Sequence, residues 1–301
     1  MILSILIVSW NTCQLLDKCL DSVEREIAQS TIGRDNVEVF VIDNFSGDGS
    51  ADMVSSKHEW VKLIRNQANL GFAAANNQAL KIAHGKFILL LNPDTEVLSG
   101  TLDTLINFFS DHPSAGVVAP QLLNSDGSIQ RSCRAFPTFS GMFFELAGLS
   151  RLMPNVQRFR QYKMLDFDHN HAQQVDQPEG ACLLIKKEVI EKVGILDEGF
   201  FMLFEEVDWC YRIKQAGFQI WFTPAAKIIH HYGQAIKQVK AQMIMSSHRG
   251  LYRFWFKHYR NGRWYLDGLA YGGLIGLAYL RIVSHWLKSR RVQGIEAVVQ
   301  R

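Results

Sequence analysis

Two groups of carboxylates stand where the chain could use them for chemistry. The first is Asp94, in Phe87-Ile88-Leu89-Leu90-Leu91-Asn92-Pro93-Asp94-Thr95-Glu96. Five apolar residues followed by an abrupt polar turn read as a strand buried on both faces, as in a parallel sheet. Proline has no N–H to give a central ladder, so the strand stops at Asn92-Pro93 and delivers Asp94 at its carboxyl end. Ligands of open α/β sheets bind at that edge. A carboxylate there suits a hard divalent cation carrying a diphosphate, although the same residue could equally cap a turn. The second group is Glu205-Glu206-Val207-Asp208, which opens a helix whose Asp208 can reach Arg212 one turn on. The helix macrodipole alone favours acidic residues at such a start. Apolar Phe200 to Phe204 directly ahead predict partial burial, however, and a desolvated carboxylate has its pKa raised and becomes a better base. His230-His231 follows strand-like Lys227-Ile228-Ile229. One of these histidines is a candidate second ligand for an ion on Asp94, and manganese tolerates nitrogen better than magnesium does.

The elements that must position these groups are legible in order. Stretches 1–8, 37–42, 61–64 and 87–91 read as strands, and 15–27, 51–58, 73–83 and 102–109 have helical apolar spacing. Four alternations in the first 110 residues predict a doubly wound parallel sheet, because parallel strands need crossover connections. Three strands end in polar residues: Ser9 and Asn11, Asp43 and Asn44, Asn92 and Asp94. Right-handed crossovers place those ends on one edge, and their coincidence predicts a binding site. Farther on, 117–120, 181–187 and 220–222 read as strands and 207–215 as a helix; 131–171 is irregular, aromatic and basic, with no assignable fold. Gly180, lacking a side chain, would let backbone approach a ligand closely.

Composition and missing motifs exclude several classes. Of 301 residues, 48% are hydrophobic and 20% charged, as in an ordinary globular protein with a full core. The five cysteines show no C-x-x-C spacing and no secretory signal precedes them, so a reduced cytoplasmic setting is expected. There is no G-x-G-x-x-G after the first strand, no P-loop and no G-x-S-x-G elbow, which argues against dehydrogenases, P-loop NTPases and α/β-hydrolases. Residues 237–301 carry 12 Lys and Arg against 2 Asp and Glu, whereas residues 1–236 carry 20 against 27. A basic tail on an acidic body predicts an anionic partner. With no zinc-finger or RNA-binding signature, that partner is expected to be a membrane surface rather than nucleic acid. The apolar run from Gly268 to Leu280 has 13 residues, whereas a span needs roughly 20, so an interfacial or core helix is expected there.

Five motifs in order carry a resemblance: 7–11 (IVSWN), 41–50 (VIDNFSGDGS), 69–72 (NLGF), 91–94 (LNPD) and 201–208 (FMLFEEVD). Together they resemble family 2 glycosyltransferases, and within them the rhamnosyltransferase-like enzymes of bacterial surface polysaccharide synthesis. The resemblance implies a GT-A fold: a Rossmann-like, mixed but mainly parallel sheet flanked by helices. It places the catalytic domain at 1–236 and leaves 237–301 as a basic, partly apolar helical extension. It also implies inverting transfer from a nucleotide sugar, with dTDP-L-rhamnose the expected donor, a glycan or lipid-linked glycan the acceptor, and Mg²⁺ or Mn²⁺ as cofactor. Ser9, Asn11, Asp43 and Asn44 match nucleotide-binding positions, with Asp43 expected at the pyrimidine base. Asn69, Gly71, Phe72 and Asn76 match the donor-pocket segment. Asn92-Pro93-Asp94 matches the D-x-D motif with Asn for the first Asp, leaving Asp94 as the main carboxylate ligand. Glu206 takes the base position with Glu for Asp, Glu205 and Asp208 being its rivals, and His230 matches the late metal-binding histidine with His231 as the fallback. The alternatives are a sugar-phosphate nucleotidyltransferase, disfavoured because Met1 to Asn11 holds no Gly, Lys or Arg, and a catalytically degenerate nucleotide- or glycan-binding protein. The expected location is the cytoplasmic face of the membrane.

Overall fold

In the computed structural model, which describes residues 1–138, 156–231, 239–260, 262 and 264–299, the expected alternation of strand and helix opens the chain. It runs β1 (Leu3–Ser9), α1 (Cys13–Gln29), β2 (Val37–Asp43), α2 (Ser50–Lys57), β3 (Lys62–Arg65), α3 (Phe72–Leu80), β4 (Phe87–Leu91), β5 (Thr95–Val97), α4 (Thr101–Asp111) and β6 (Ala115–Leu123). Short pieces follow: β7 (Ile129–Gln130), β8 (Cys133–Arg134), α5 (Gln157–Tyr162), β9 (Gln173–Gln174) and β10 (Gln177–Pro178). The chain ends with β11 (Cys182–Lys186), α6 (Lys187–Val193), α7 (Glu205–Gln215), β12 (Gln219–His230), α8 (Lys240–His258) and α9 (Trp264–Val299). The patternless stretch 131–171 lies partly outside the described residues.

One large sheet has the order β3-β2-β1-β4-β11-β6-β12-β5. Its first four strands are parallel, as the crossovers demand, and the register pairs Ser9 with Asp43 and Ile7 with Leu91. The three polar strand ends therefore do meet on one edge. The sheet is mixed, as the resemblance implied, because β11 enters between β4 and β6 antiparallel to both. A fully buried strand reads as the same apolar run in either direction. The strand-like stretches 220–222 and 227–229 are also one strand, β12, whose pairing to β6 shifts register between Thr223 and Lys227. Pro224 sits in that break, where a missing N–H is tolerated.

Packing joins the first helix of the extension to the body. Leu251 and Phe254 of α8 and Leu274 of α9 share a buried cluster with Phe200, Phe204 and Val207. Approach is so close at Gly250 that a Cβ there would lie 2.9 Å from the Phe204 ring and 3.0 Å from the Leu203 carbonyl. Asp208 is the polar centre of the contact and is fully buried. Arg212 Nε donates to its Oδ2 at 2.8 Å, while Lys257 Nζ and His258 Nε2 lie 2.8 and 2.7 Å from its Oδ1.

Burial alone would raise the Asp208 pKa, but hydrogen bonds from His258, Lys257 and Arg212 outweigh it and hold the carboxyl below its usual value. A depressed folded-state pKa contributes stability above the unfolded value and loses it as pH falls through the folded one. Asp208→Asn should therefore be less stable than the parent at pH 7 by roughly 3–5 kcal/mol, as when one partner of a buried pair is removed. The gap should close as pH drops below about 4. Denaturant melts of both proteins across that range check it.

Candidate active site

A cavity of about 360 Å³ opens at the carboxyl edge of β1, β2 and β4. Asn44, Asn69, Gly71, Phe72, Asn92 and Asp94 line it, as do Trp10, Thr12, Phe201, Met202 and His230. Asn44 organises one wall: its amide donates to Asn69 Oδ1 at 2.9 Å and to the Gly71 carbonyl at 3.2 Å, and its Oδ1 accepts from Leu70 N at 3.0 Å. Gly71 has φ +83° and its Cβ would fall 2.3 Å from the Phe201 carbonyl, so only glycine lets the 199–204 loop close against this wall. The Phe72 N–H donates to that same carbonyl at 2.8 Å.

Ser9, Asn11 and Asn76 stand behind the wall rather than in it. The Ser9 and Thr12 hydroxyls are 3.0 Å apart. Asn11 accepts from Gly47 N at 2.8 Å and its own N–H donates to Ser46 Oγ at 3.0 Å, tying the loop after β1 to the loop after β2. Asn76 donates to the Phe72 carbonyl at 3.0 Å. Asp43 is buried, accepts from Ser46 N at 3.1 Å through Oδ2, and leaves Oδ1 without a hydrogen-bond partner.

At the far end Asp94 and His230, both buried, face each other with Oδ1 and Nε2 3.4 Å apart. Gln130 Oε1 lies 2.7 Å from His230 Nδ1 and accepts its proton. In the neutral ring that leaves the lone pair of Nε2 opposite a carboxylate oxygen, an arrangement a cation between them would resolve. Two ligand atoms about 2.1 Å from one ion lie about 3.0–3.4 Å apart, so the pair fits a single divalent cation. His231 does not compete, because Glu96 Oε1 and Ser125 Oγ each lie 2.7 Å from one of its ring nitrogens. Another cluster with ligand-like spacing, Asp17, Asp21 and His58, is already bridged by Lys57 Nζ at 2.7 and 3.0 Å from the two carboxylates.

Beside the first cavity lies a second, of about 540 Å³, lined in part by Glu206, Phe204 and Tyr162. Among the described residues Glu179 alone lines both. Nothing in the sequence marks Glu179 beyond its place before Gly180; only folding carries it to the boundary of the two cavities. The space that Gly180 leaves is taken by Glu206, whose Cγ would lie 3.2 Å from a Cβ there, so the glycine makes room for a side chain. Glu205 and Glu206 start α7 directly after Leu203 and Phe204, whose φ of 71° and 78° are costly for residues with a Cβ. The Oε2 atoms of both glutamates are buried without a hydrogen-bond partner. Burial pushes Glu206 up to about 7, with the charge of Glu179 adding to it. Burial, then the neighbouring Glu206, pushes Glu205 well above the usual carboxylate value. Asp208 lines neither cavity and is held in its cation cluster. Two further residues of the first cavity, Gln242 and Met243, come from α8, beyond the expected domain boundary.

Comparisons with known proteins place this geometry in a family. The model of "Glycosyl transferase family 2" matches residues 4–194. The chain is 27% identical over 286 residues to an N-acetylglucosaminyl-diphospho-decaprenol L-rhamnosyltransferase of Mycobacterium tuberculosis, covering 89% of this chain and 91% of the relative. It is 26% identical over 238 residues to a low-salt glycan biosynthesis hexosyltransferase of Haloferax volcanii, covering 73% and 71%. Among solved structures, the mannosyltransferase PcManGT of Pyrobaculum calidifontis, in complex with GDP-Man and Mn²⁺, superposes with a TM-score of 0.56 at 15% identity, over 99% of this chain and 79% of that one. S. aureus TarS 1-349 in complex with UDP gives 0.53 at 17%, over 88% and 75%. Shared fold and shared sequence thus converge with the strand-edge cavity: the chain is a glycosyltransferase of the GT-A fold and belongs to glycosyl transferase family 2.

Proposed function

We propose that the chain is an inverting, metal-dependent transferase that moves L-rhamnose from dTDP-L-rhamnose to a hydroxyl of a lipid-linked glycan. One observation carries the reading. Asp94 and His230 line one cavity, the desolvated carboxylate of Glu206 lines the next, and Glu179 lines both. The sugar and the lipid-linked acceptor are supported by likeness to the mycobacterial relative, whose name specifies both.

Each residue has a task in this reading. Asp43 Oδ1, buried and lacking a donor, takes an N–H of the pyrimidine base. Asn44, Asn69, Gly71, Phe72 and Asn92 shape the donor cavity, while Ser9, Asn11 and Asn76 hold its loops. Asp94 and His230 hold the divalent cation, which when bound supplies Lewis-acid stabilisation to the diphosphate. Glu206 accepts the proton of the acceptor hydroxyl as that oxygen bonds to the anomeric carbon. On the opposite face the bond from that carbon to the diphosphate oxygen breaks, and the nucleoside diphosphate leaves with the electron pair. Glu205 keeps the site desolvated, and α8 works as part of the catalytic unit through Gln242 and Met243.

In this reading α9 lies on the cytoplasmic membrane surface. No helix of the described residues is long and apolar enough to cross a membrane. Leu269, Leu280, Val283 and Leu287 are all exposed, Leu269 to 73% and Leu280 to 69%. Their spacing puts them on one face of the helix, opposite buried Leu274 and Ala278. An apolar face with basic neighbours binds anionic lipid.

Three outcomes follow. Asp94→Asn should lose the metal dependence of donor binding while melting like the parent; titration of dTDP-rhamnose with and without Mn²⁺ tests this, and undiminished metal dependence would remove Asp94 as ligand. Glu206→Gln should lower single-turnover transfer by roughly 10²–10⁴. Parent transfer should rise with pH through about 7 as the carboxyl deprotonates. A raised folded-state pKa means the folded protein binds more protons than the unfolded one, so this carboxyl costs stability as pH climbs above its unfolded value. Glu206→Gln should accordingly melt no lower than the parent at pH 8, whereas a structural acid would show the reverse pattern. Full-length protein should float with anionic vesicles at low salt, and Leu280→Glu/Leu287→Glu should not; a parent that stays at the bottom of the gradient sinks the membrane reading.

A further inference from the structure

His230 and His231, at the end of β12, are braced by one hairpin turn and are given different partners. Strands β6 and β7 pair Leu122 with Gln130 and Leu123 with Ile129, so residues 124–128 form the turn between them. Asn124 N donates to the Ser128 carbonyl at 2.8 Å, and its side-chain amide donates to Ser128 Oγ at 2.9 Å, which fixes that side chain. The Oδ1 atom of Asn124 then accepts from Gln130 Nε2 at 3.0 Å. With its nitrogen engaged there, the Gln130 amide presents Oε1 to His230 Nδ1 at 2.7 Å. Ser125 of the same turn places Oγ 2.7 Å from His231 Nδ1, while Glu96 Oε1 lies 2.7 Å from the other nitrogen of that ring. His231 thus has a carboxylate partner. His230, which lines the first cavity, has an uncharged amide on its outer nitrogen.

We infer that Gln130 is the positioning residue of the cation: it commits the Nδ1 proton of His230, aims Nε2 at the space beside Asp94, and sets how tightly the pair holds a divalent ion. The inference rests on the reading of Asp94 and His230 as the ion's ligands, whose Oδ1 and Nε2 stand 3.4 Å apart. A histidine that binds metal through one nitrogen needs an acceptor on the other, which fixes the tautomer and the rotation of the ring. Such partners are worth roughly 10–100-fold in metal affinity. An amide oxygen supplies the orientation without adding charge. A carboxylate in its place would make the imidazole a stronger donor and bring a further negative charge near the ion. The amide therefore leaves more of the ion's positive charge for the diphosphate that the ion must hold. Gln130 and Asn124 line the second cavity and His230 the first, so the ligand is held from the side of the neighbouring cavity, and a change at Gln130 leaves the lining of the donor cavity intact.

The test is uptake of Mn²⁺ alone by the full chain, followed through the EPR signal of the free ion, with a melting curve for each variant. Gln130→Leu, which keeps the bulk and removes the acceptor, should bind Mn²⁺ roughly tenfold or more weakly than the parent. Gln130→Glu, which strengthens the acceptor, should bind it roughly threefold or more tightly. A residue that only braces the hairpin would weaken binding in both variants or change it in neither, so the opposite signs are the signature. The inference is overturned if Gln130→Glu binds no more tightly than the parent, or if Gln130→Leu melts like the parent and keeps its affinity. Should Gln130→Leu melt early, Gln130→Glu decides alone. Asp94→Asn reports separately on the reading beneath. If it takes up Mn²⁺ as well as the parent does, the ligand pair is wrong and the inference falls with it. If it loses the ion while both Gln130 variants match the parent, the pair stands and this inference alone falls. A parent that takes up no Mn²⁺ overturns both.

Discussion

Taking Glu205 and Glu206 out of water costs free energy that local backbone hydrogen bonds offset only in part, because each leaves a carboxylate oxygen without a hydrogen-bond partner. The surrounding structure is arranged to hold them there. Leu203 and Phe204 turn into α7 through left-handed backbone that side chains with a Cβ resist. Asp208, one turn into the same helix, is tied by Arg212 from within it and by Lys257 and His258 from α8. The buried cluster of Phe200, Phe204, Leu251, Phe254 and Leu274 clamps the junction from outside. A carboxyl can stay poised as a base near neutral pH only if its scaffold resists the tendency to open and hydrate it. Strain and desolvation gather at this site, and ionic and apolar packing beside it offset them.

Much of this was legible in the chain. Local rules act over a few residues: the apolar run of β4 ends at a proline, polar residues close β1 and β2, and acids cluster at the start of α7. Each element formed where its pattern put it, and the shared edge followed from parallel crossovers alone. What was not legible depends on contacts far apart in sequence. The direction of β11 is set by where its neighbours lie, since an apolar run reads alike either way. Asn11 and Asn76 sit in motifs beside the cavity, yet their amides face the loops they brace. Asp208 shares a sequence cluster with Glu206, but half a helical turn and three cations separate their surroundings. Glu179 has no local signature at all, because its importance lies in standing between two strand ends.

Charge shows the same limit. The excess of Lys and Arg after residue 237 suggests a free basic surface, yet several of those cations are committed to the body. Arg253 and Lys257 pair with Asp197 of the body and Lys257 also with its Asp208, while Arg260 is paired within the extension, with Asp267. A balance of charges counted along the chain cannot distinguish a cation that docks a helix from one that waits for a ligand.

Separating the site into two cavities that meet at one glutamate has a chemical consequence. In the proposed reading a cation on Asp94 and His230 would stabilise the diphosphate while Glu206 takes the acceptor proton, and a positive ion close to Glu206 would favour its deprotonated form and weaken it as a base. Glu179 lines both cavities, and burial raises its own pKa while the charges of His230 and Arg134 oppose that rise. Burial raises the Glu206 pKa to about 7, and a charge on Glu179 adds to that rise. The placement of Glu179 therefore tunes two groups it need not touch.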